Sequence, residues 1–146
     1  MRTLSIDIET YSDVDIKLGV YRYTDTPNFE ILLFGYAFDE DPVKVIDVAC
    51  GEDLDKSLIK ALSDANVLKK AYNAQFERVC IGRYLGVKLD PSQWWCTMAH
   101  AAHLGLPGKL GDVAKVLNLD EQKDTAGKML INYFSKPCKP TRANQE

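Results

Sequence analysis

Asp7 and Glu9 are the residues of this chain best suited to chemistry. They stand in the stretch Met1 to Thr10, where Leu4, Ile6 and Ile8 alternate with Ser5, Asp7 and Glu9. That period of two marks a strand with one apolar face and puts both carboxylates on the other. Carboxylates side by side repel, and a divalent cation held by hard oxygen ligands relieves them, as do water or a basic partner. The pattern alone leaves a metal site and a solvated acidic strand end both open. A third acid, Glu77, falls in the first turns of a helix, beside an apolar stripe of Phe76, Val79, Cys80 and Tyr84. There it favours the helix dipole, and taken alone it reads as structural. His100 and His103 lie three apart on one helix, but no third ligand type stands at a usable spacing, so they read as surface or half-buried side chains. Tyr21 and Tyr23 flank Arg22. Such rings can stack on bases, although a short strand with two packed rings is the simpler account.

The elements that must position these residues follow from periodicity. Residues 11–19 are rich in turn formers, and 30–38 are a nearly continuous apolar run of strand length, as in a central strand covered on both faces. Residues 43–48 form the next strand, so the first three strands make an antiparallel meander. Gly51-Glu-Asp53 supplies a cap and an acidic first turn for a helix in which Leu54, Leu58, Ile59 and Leu62 recur at helical spacing. Residues 66–72 read as a fourth strand, Asn73 stands where the helix bearing Glu77 is capped, and Gly86 ends it. Residues 94–96 are a last short strand, and Thr97 caps a helix running to Leu104. Leu110, Val113 and Leu117 mark another helix, and Ala126, Leu130 and Phe134 a final one starting at Asp124. The expectation is an α/β fold with a mixed sheet of about five strands and flanking helices over 1–134. Residues 135–146, with two prolines and no periodicity, read as an extended tail.

Composition narrows the function classes. With 146 residues, 46% hydrophobic and 27% charged, the chain has the makings of one globular domain with a real core. No apolar run approaches the roughly 20 residues of a membrane span, and the N-terminus enters a strand directly, so a cytoplasmic protein with no membrane partner is expected. Cys50, Cys80, Cys96 and Cys138 form no C-x-x-C pair. Three read as buried thiols and Cys138 as a tail residue. The net charge of -3 argues against holding nucleic acid by a broad basic surface, so any such contact must be local or metal-mediated.

The order of these features resembles the ribonuclease-H-like fold of the DEDD 3′-5′ exonucleases. Asp7-Ile-Glu-Thr10 looks like that family's first motif, Asn73-Ala-Gln-Phe-Glu77 like its second, and Cys96-Thr-Met98 like the Asp-Thr-Met that often follows. Gly19-Val-Tyr-Arg-Tyr23, Phe29-Glu-Ile-Leu-Leu33, the 73–78 stretch and Phe134 to Thr141 are similar to the exonuclease region of phage and prophage family-A DNA polymerases. The resemblance implies proofreading-type hydrolysis of single-stranded DNA 3′ ends with two divalent cations, magnesium or manganese. Asp7 would bridge the ions, Glu9 complete the first, and Glu77 reach the second through water. Thr10, Asn73, Tyr21 and Arg22 would contact or position the substrate. Two departures from the pattern stand out. Glu77 replaces the Asp of the wider superfamily, and the third motif, a Tyr or His four or five residues before a metal-binding Asp, is expected after Phe134, where the chain shows none. The resemblance therefore implies a domain completed by the rest of a polymerase chain, weak or inactive alone, with a homodimer as one way to cover its uncovered apolar surface. A non-catalytic nucleic-acid or polymerase-binding module of the same fold is the alternative.

Overall fold

Five strands form one mixed sheet in the order β3-β2-β1-β4-β5. The computed structural model describes residues 1–137; the expected tail from 138 onward, with Cys138, lies outside the described residues. β1 (Arg2–Tyr11) pairs antiparallel with β2 (Glu30–Phe38), which pairs antiparallel with β3 (Lys44–Asp47). This is the expected meander. On its other side β1 runs parallel to β4 (Val67–Ala71), and β4 parallel to β5 (Trp94–Cys96). Parallel neighbours need a crossover, and α2 (Lys56–Ser63) and α3 (Ala74–Leu85) lie on those connections.

The alternation of β1 sets the core. Leu4, Ile6 and Ile8 are buried and join Phe34, Leu58, Leu62, Cys80 and Ile81 in one cluster, so α2 and α3 cover the face to which they point. Cross-strand partners share a face, and the partner of Asp7 is Gly35, so β2 puts no side chain over that carboxylate. A Cβ at Gly35 would come 3.3 Å from the Asp7 carbonyl oxygen. The register shifts between Glu9 and Thr10, which skips Leu32 on β2. Such a bulge bends a strand and re-aims the side chains at its end. Lys69 sits on the buried side of β4, and its Nζ donates to the Asp64 carbonyl (2.8 Å), the Val67 carbonyl (3.0 Å) and Gln93 Oε1 (2.8 Å).

Several local expectations are corrected. Residues 20–23 belong to a short helix, α1 (Val20–Thr24), and not to a strand. Residues two apart share one face of a strand but lie about 200° apart round a helix, and Tyr23 is accordingly buried while Tyr21 is exposed. The helix after β3 starts at Lys56 with Asp55 at its N-cap, and Gly51 to Asp53 belong to the turn before it. Asn73 takes the N-cap position of α3 in the left-handed region (φ 72°, ψ 52°) but makes no side-chain capping bond. Thr97 is the first residue of α4 (Thr97–His103), and its hydroxyl donates to the Ala71 carbonyl at 3.1 Å, tying α4 to β4 and not capping its own helix. Of the cysteines expected to be buried, Cys80 is, Cys96 is half-buried and Cys50 is exposed in the turn after β3. In α5 (Leu110–Val116) only the Val113 and Ala114 face is covered, and in α6 (Thr125–Phe134) Leu130 and Phe134 face outward. Helical period was legible there, but the side that meets the sheet was not. His100 and His103 are exposed, as the surface reading had them.

Candidate active site

Topology brings the three acids into one neighbourhood. β4 pairs with Arg2 to Ser5 of β1, and the chain then leaves the sheet through Tyr72 and Asn73, so α3 begins at the level of Asp7. Crevices at the carboxyl ends of parallel strands are where such folds place ligands. Glu77 lies one turn into α3, and it stands on the buried face with Ala74, Cys80 and Ile81, not beside the apolar stripe. This corrects the solvated reading: Glu77 is 4% exposed. A pattern search ranks positions by hydrophobicity and so steps over a Glu that the fold buries.

The electrostatics run from Glu77, which is buried, through the half-buried Glu9 to Asp7, which is exposed on the strand. Burial pushes Glu77 up to about 8, opposed by its own backbone hydrogen bond and reinforced by Asp7. Asp7 is raised by burial, with Lys123 and the Ile8 amide pulling it back. Glu9 is raised by burial and by Asp7, and lowered by Lys123. Glu77 Oε2 is buried with no hydrogen-bond partner. A buried carboxylate oxygen without a donor is costly unless a proton or a cation meets it. The three side chains offer only hard oxygens, the set that magnesium or manganese prefers. Among the described residues, however, no group of three or more His, Cys, Asp or Glu side chains stands close enough to hold an ion. Asp7, Glu9 and Glu77 share an electric field without sharing one coordination sphere.

Beside the acids lies a cleft of about 630 Å³, walled by Ile8, Phe76 and Ile131 and bordered by Glu9, Lys17 and Lys136. Its size and apolar walls suit a small ligand such as one nucleotide. Thr10 also lines it, but the Thr10 hydroxyl is taken up in a buried hydrogen bond with the Tyr23 hydroxyl at 2.9 Å. Tyr23 packs against Phe76 (ring centroids 5.8 Å apart) and Phe29 (5.9 Å), which fixes α1 against α3. Tyr21 points away from this cleft into a second groove, and Arg22 lines neither. Asn73 is exposed at the start of α3. Sequence reasoning missed Lys123, the cation whose field reaches Asp7 and Glu9, and Ile131, a wall of the cleft; both come from segments far along the chain, and nothing local marks them.

Comparison with known proteins agrees with this architecture. No family model matches the chain. It is 61% identical over 145 residues to the DNA polymerase of Bacillus phage SP02, a match covering 99% of this chain and 22% of the polymerase. The chain thus spans about a fifth of that relative's length. Its fold is similar to Brucella melitensis NrnC solved with bound Mg2+ (18% identity, TM-score 0.60, covering 84% of this chain and 56% of NrnC). It is also similar to Escherichia coli RNase D, an exoribonuclease (17% identity, TM-score 0.59, 86% and 30% covered). The fold is therefore the ribonuclease-H-like fold of these nucleases, as the motifs implied. Among the described residues no helix is long and apolar enough to cross a membrane.

Proposed function

We propose that this relative of a phage DNA polymerase is the polymerase's 3′-5′ exonuclease domain, removing nucleotides from single-stranded DNA ends with divalent cations. The observation that carries the reading is Glu77, a buried carboxylate with an orphaned oxygen in the field of Asp7, at the start of the helix that β4 delivers beside β1. Asp7, Glu9 and Glu77 would hold magnesium or manganese, two ions on the fullest reading. When bound, the metal supplies a nucleophilic water at neutral pH and stabilises the leaving oxygen. The chain's own residues do the rest. Asp7 is open on the β2 side because its neighbour is Gly35, and Glu9 is the acid of the pair that borders the cleft. Ile8, Phe76 and Ile131 would enclose the terminal base and exclude water, while Lys17 and Lys136 are the cations open to its phosphates on a rim that also carries Glu9, Asp13 and Asp15. Tyr23 and Thr10 hold the α1 wall in place.

The trio lacks the fourth acid of the resemblance, and none of Asp112, Asp120, Glu121 or Asp124 joins it in an ion-holding group among the described residues. Activity of residues 1–146 alone is accordingly expected to be weak and to rise in a longer polymerase chain that supplies the third motif. The test is release of mononucleotides from a 3′-labelled single strand with manganese, comparing the natural chain with Asp7→Asn. Metal-dependent release that disappears in the variant is the expected result; equal release from both would overturn the assignment. The same absence of a three-ligand group favours the second reading, a module that binds nucleic acid without cutting it. Calorimetry showing no binding of magnesium or manganese, together with binding of the oligonucleotide, would select that module.

A further inference from the structure

The outer side of the α1 and α3 helices carries a second groove, of about 480 Å³, with Tyr21, Arg78, Arg83 and Lys88 along it. No carboxylate lines it, although the chain as a whole is acidic with a net charge of -3. Its cations are held in place. Arg83 Nε donates to the Thr24 carbonyl at 3.0 Å, and Arg78 donates to the Leu89 carbonyl at 3.4 Å. Gly82 brings the loop that carries Lys88 against α3, since a Cβ there would stand 2.8 Å from the Val87 carbonyl oxygen. Tyr21 is 62% exposed, a ring offered to solvent beside these charges. Its hydroxyl is held below the usual phenol range by Arg78 and then Gln75. Arg78 acts on the carboxyl of Asp90, which is lowered chiefly by the Ser92 amide and only lastly by Arg78.

Cations interleaved with an exposed aromatic ring match single-stranded nucleic acid, whose phosphates take the cations and whose bases stack on the ring. We propose that this groove binds the sugar-phosphate backbone of single-stranded DNA behind the 3′ nucleotide, with Arg78, Arg83 and Lys88 on phosphates and Tyr21 under a base. The identity of the strand rests on the exonuclease reading; the groove itself does not. Tyr21 and Tyr23 lie on opposite sides of α1, so the strand would lead from the cleft over that helix and down its outer side.

The experiment is fluorescence anisotropy of a labelled oligothymidylate titrated with the whole chain in a chelator, so that no metal contributes, over a series of salt concentrations. Arg78→Gln with Lys88→Gln should weaken binding and flatten the plot of log affinity against log salt by about 0.7 for each phosphate no longer neutralised. Because Arg78 also ties down the Leu89 carbonyl, Lys88→Gln alone is measured too. Lys88 is exposed, and its loss should flatten the slope by about 0.7 with unchanged circular dichroism, while Lys88→Arg restores it. An unchanged affinity and slope in both variants would overturn the groove, as would tighter binding of a duplex of the same sequence. Manganese-dependent release from the natural chain is scored separately. Release with unchanged slopes leaves the exonuclease reading and removes the groove; flattened slopes without release do the reverse.

Discussion

The two sides of the α1 and α3 pair carry opposite chemistry. Toward the sheet, Tyr23 and Glu77 are buried beside Phe76, and burial raises Glu77 to about 8, while Glu9 is half-buried and Asp7 exposed. On the outer side, Arg78, Arg83 and Lys88 stand in water beside Tyr21. Glu77 and Arg78 are adjacent in sequence, yet the turn of about 100° per residue sends one to each side. The comparison shows how one helix can present a site that needs a cation and a surface that supplies cations. What separates them is desolvation, since charges in water are screened and those in the interior are not.

The largest expected effect lies on the buried side. Glu77 has a folded-state value near 8 against the ordinary 4.5, so it stabilises the protonated fold below about pH 4.5 and that contribution is lost as pH rises through 8. Without metal, thermal stability should therefore decline across this window, and Asp7 and Glu9, also raised, act in the same direction. Glu77→Gln removes the Glu77 share of the decline and should be more stable than the natural chain at pH 9 by roughly 5 kcal/mol. Denaturant titrations at pH 5 and pH 9 in a chelator measure it. A natural chain whose stability is flat over that range would mean that Glu77 is not desolvated.

Next comes the metal itself. Asp7→Asn should weaken magnesium or manganese binding by roughly 100-fold or more, since even residues behind the ligands cost about 10- to 100-fold. The fold should survive, because one of the neighbouring negative charges has gone. Calorimetry with equal affinity in the two proteins would break the buried half of the comparison.

On the outer side the sharpest structural test is Gly82→Ala. The added Cβ meets the Val87 carbonyl oxygen, a backbone atom that cannot step aside, and the loop carrying Lys88 must shift. A loss of about 1 to 3 kcal/mol is expected from this overpacking, read as a lowered melting temperature. The smallest effect is that of Tyr23→Phe, which keeps the ring against Phe76 but removes the buried hydrogen bond to Thr10. It should cost about 1 kcal/mol and leave the salt dependence of oligonucleotide binding unchanged. A changed slope would mean that the two sides are not separable.

The sequence alone determined the five strands, the helices other than α1, and the first acid pair. Alternation in β1 and the apolar run of β2 read directly, because a strand in a layered domain must put apolar residues toward a helix at a period of two. Asp7 and Glu9 stand out because they are two acids side by side on the polar face of that alternation. What tertiary structure decided was everything that depends on which face is covered. It turned residues 20–23 into a helix by packing Tyr23 between Phe29 and Phe76, and it left Leu130 and Phe134 of a correctly periodic helix in the open. It buried Glu77, brought Lys123 and Ile131 to the cleft, and sorted Tyr21 from Tyr23. Burial and electric field are sums over neighbours from distant parts of the chain, and no local pattern contains them.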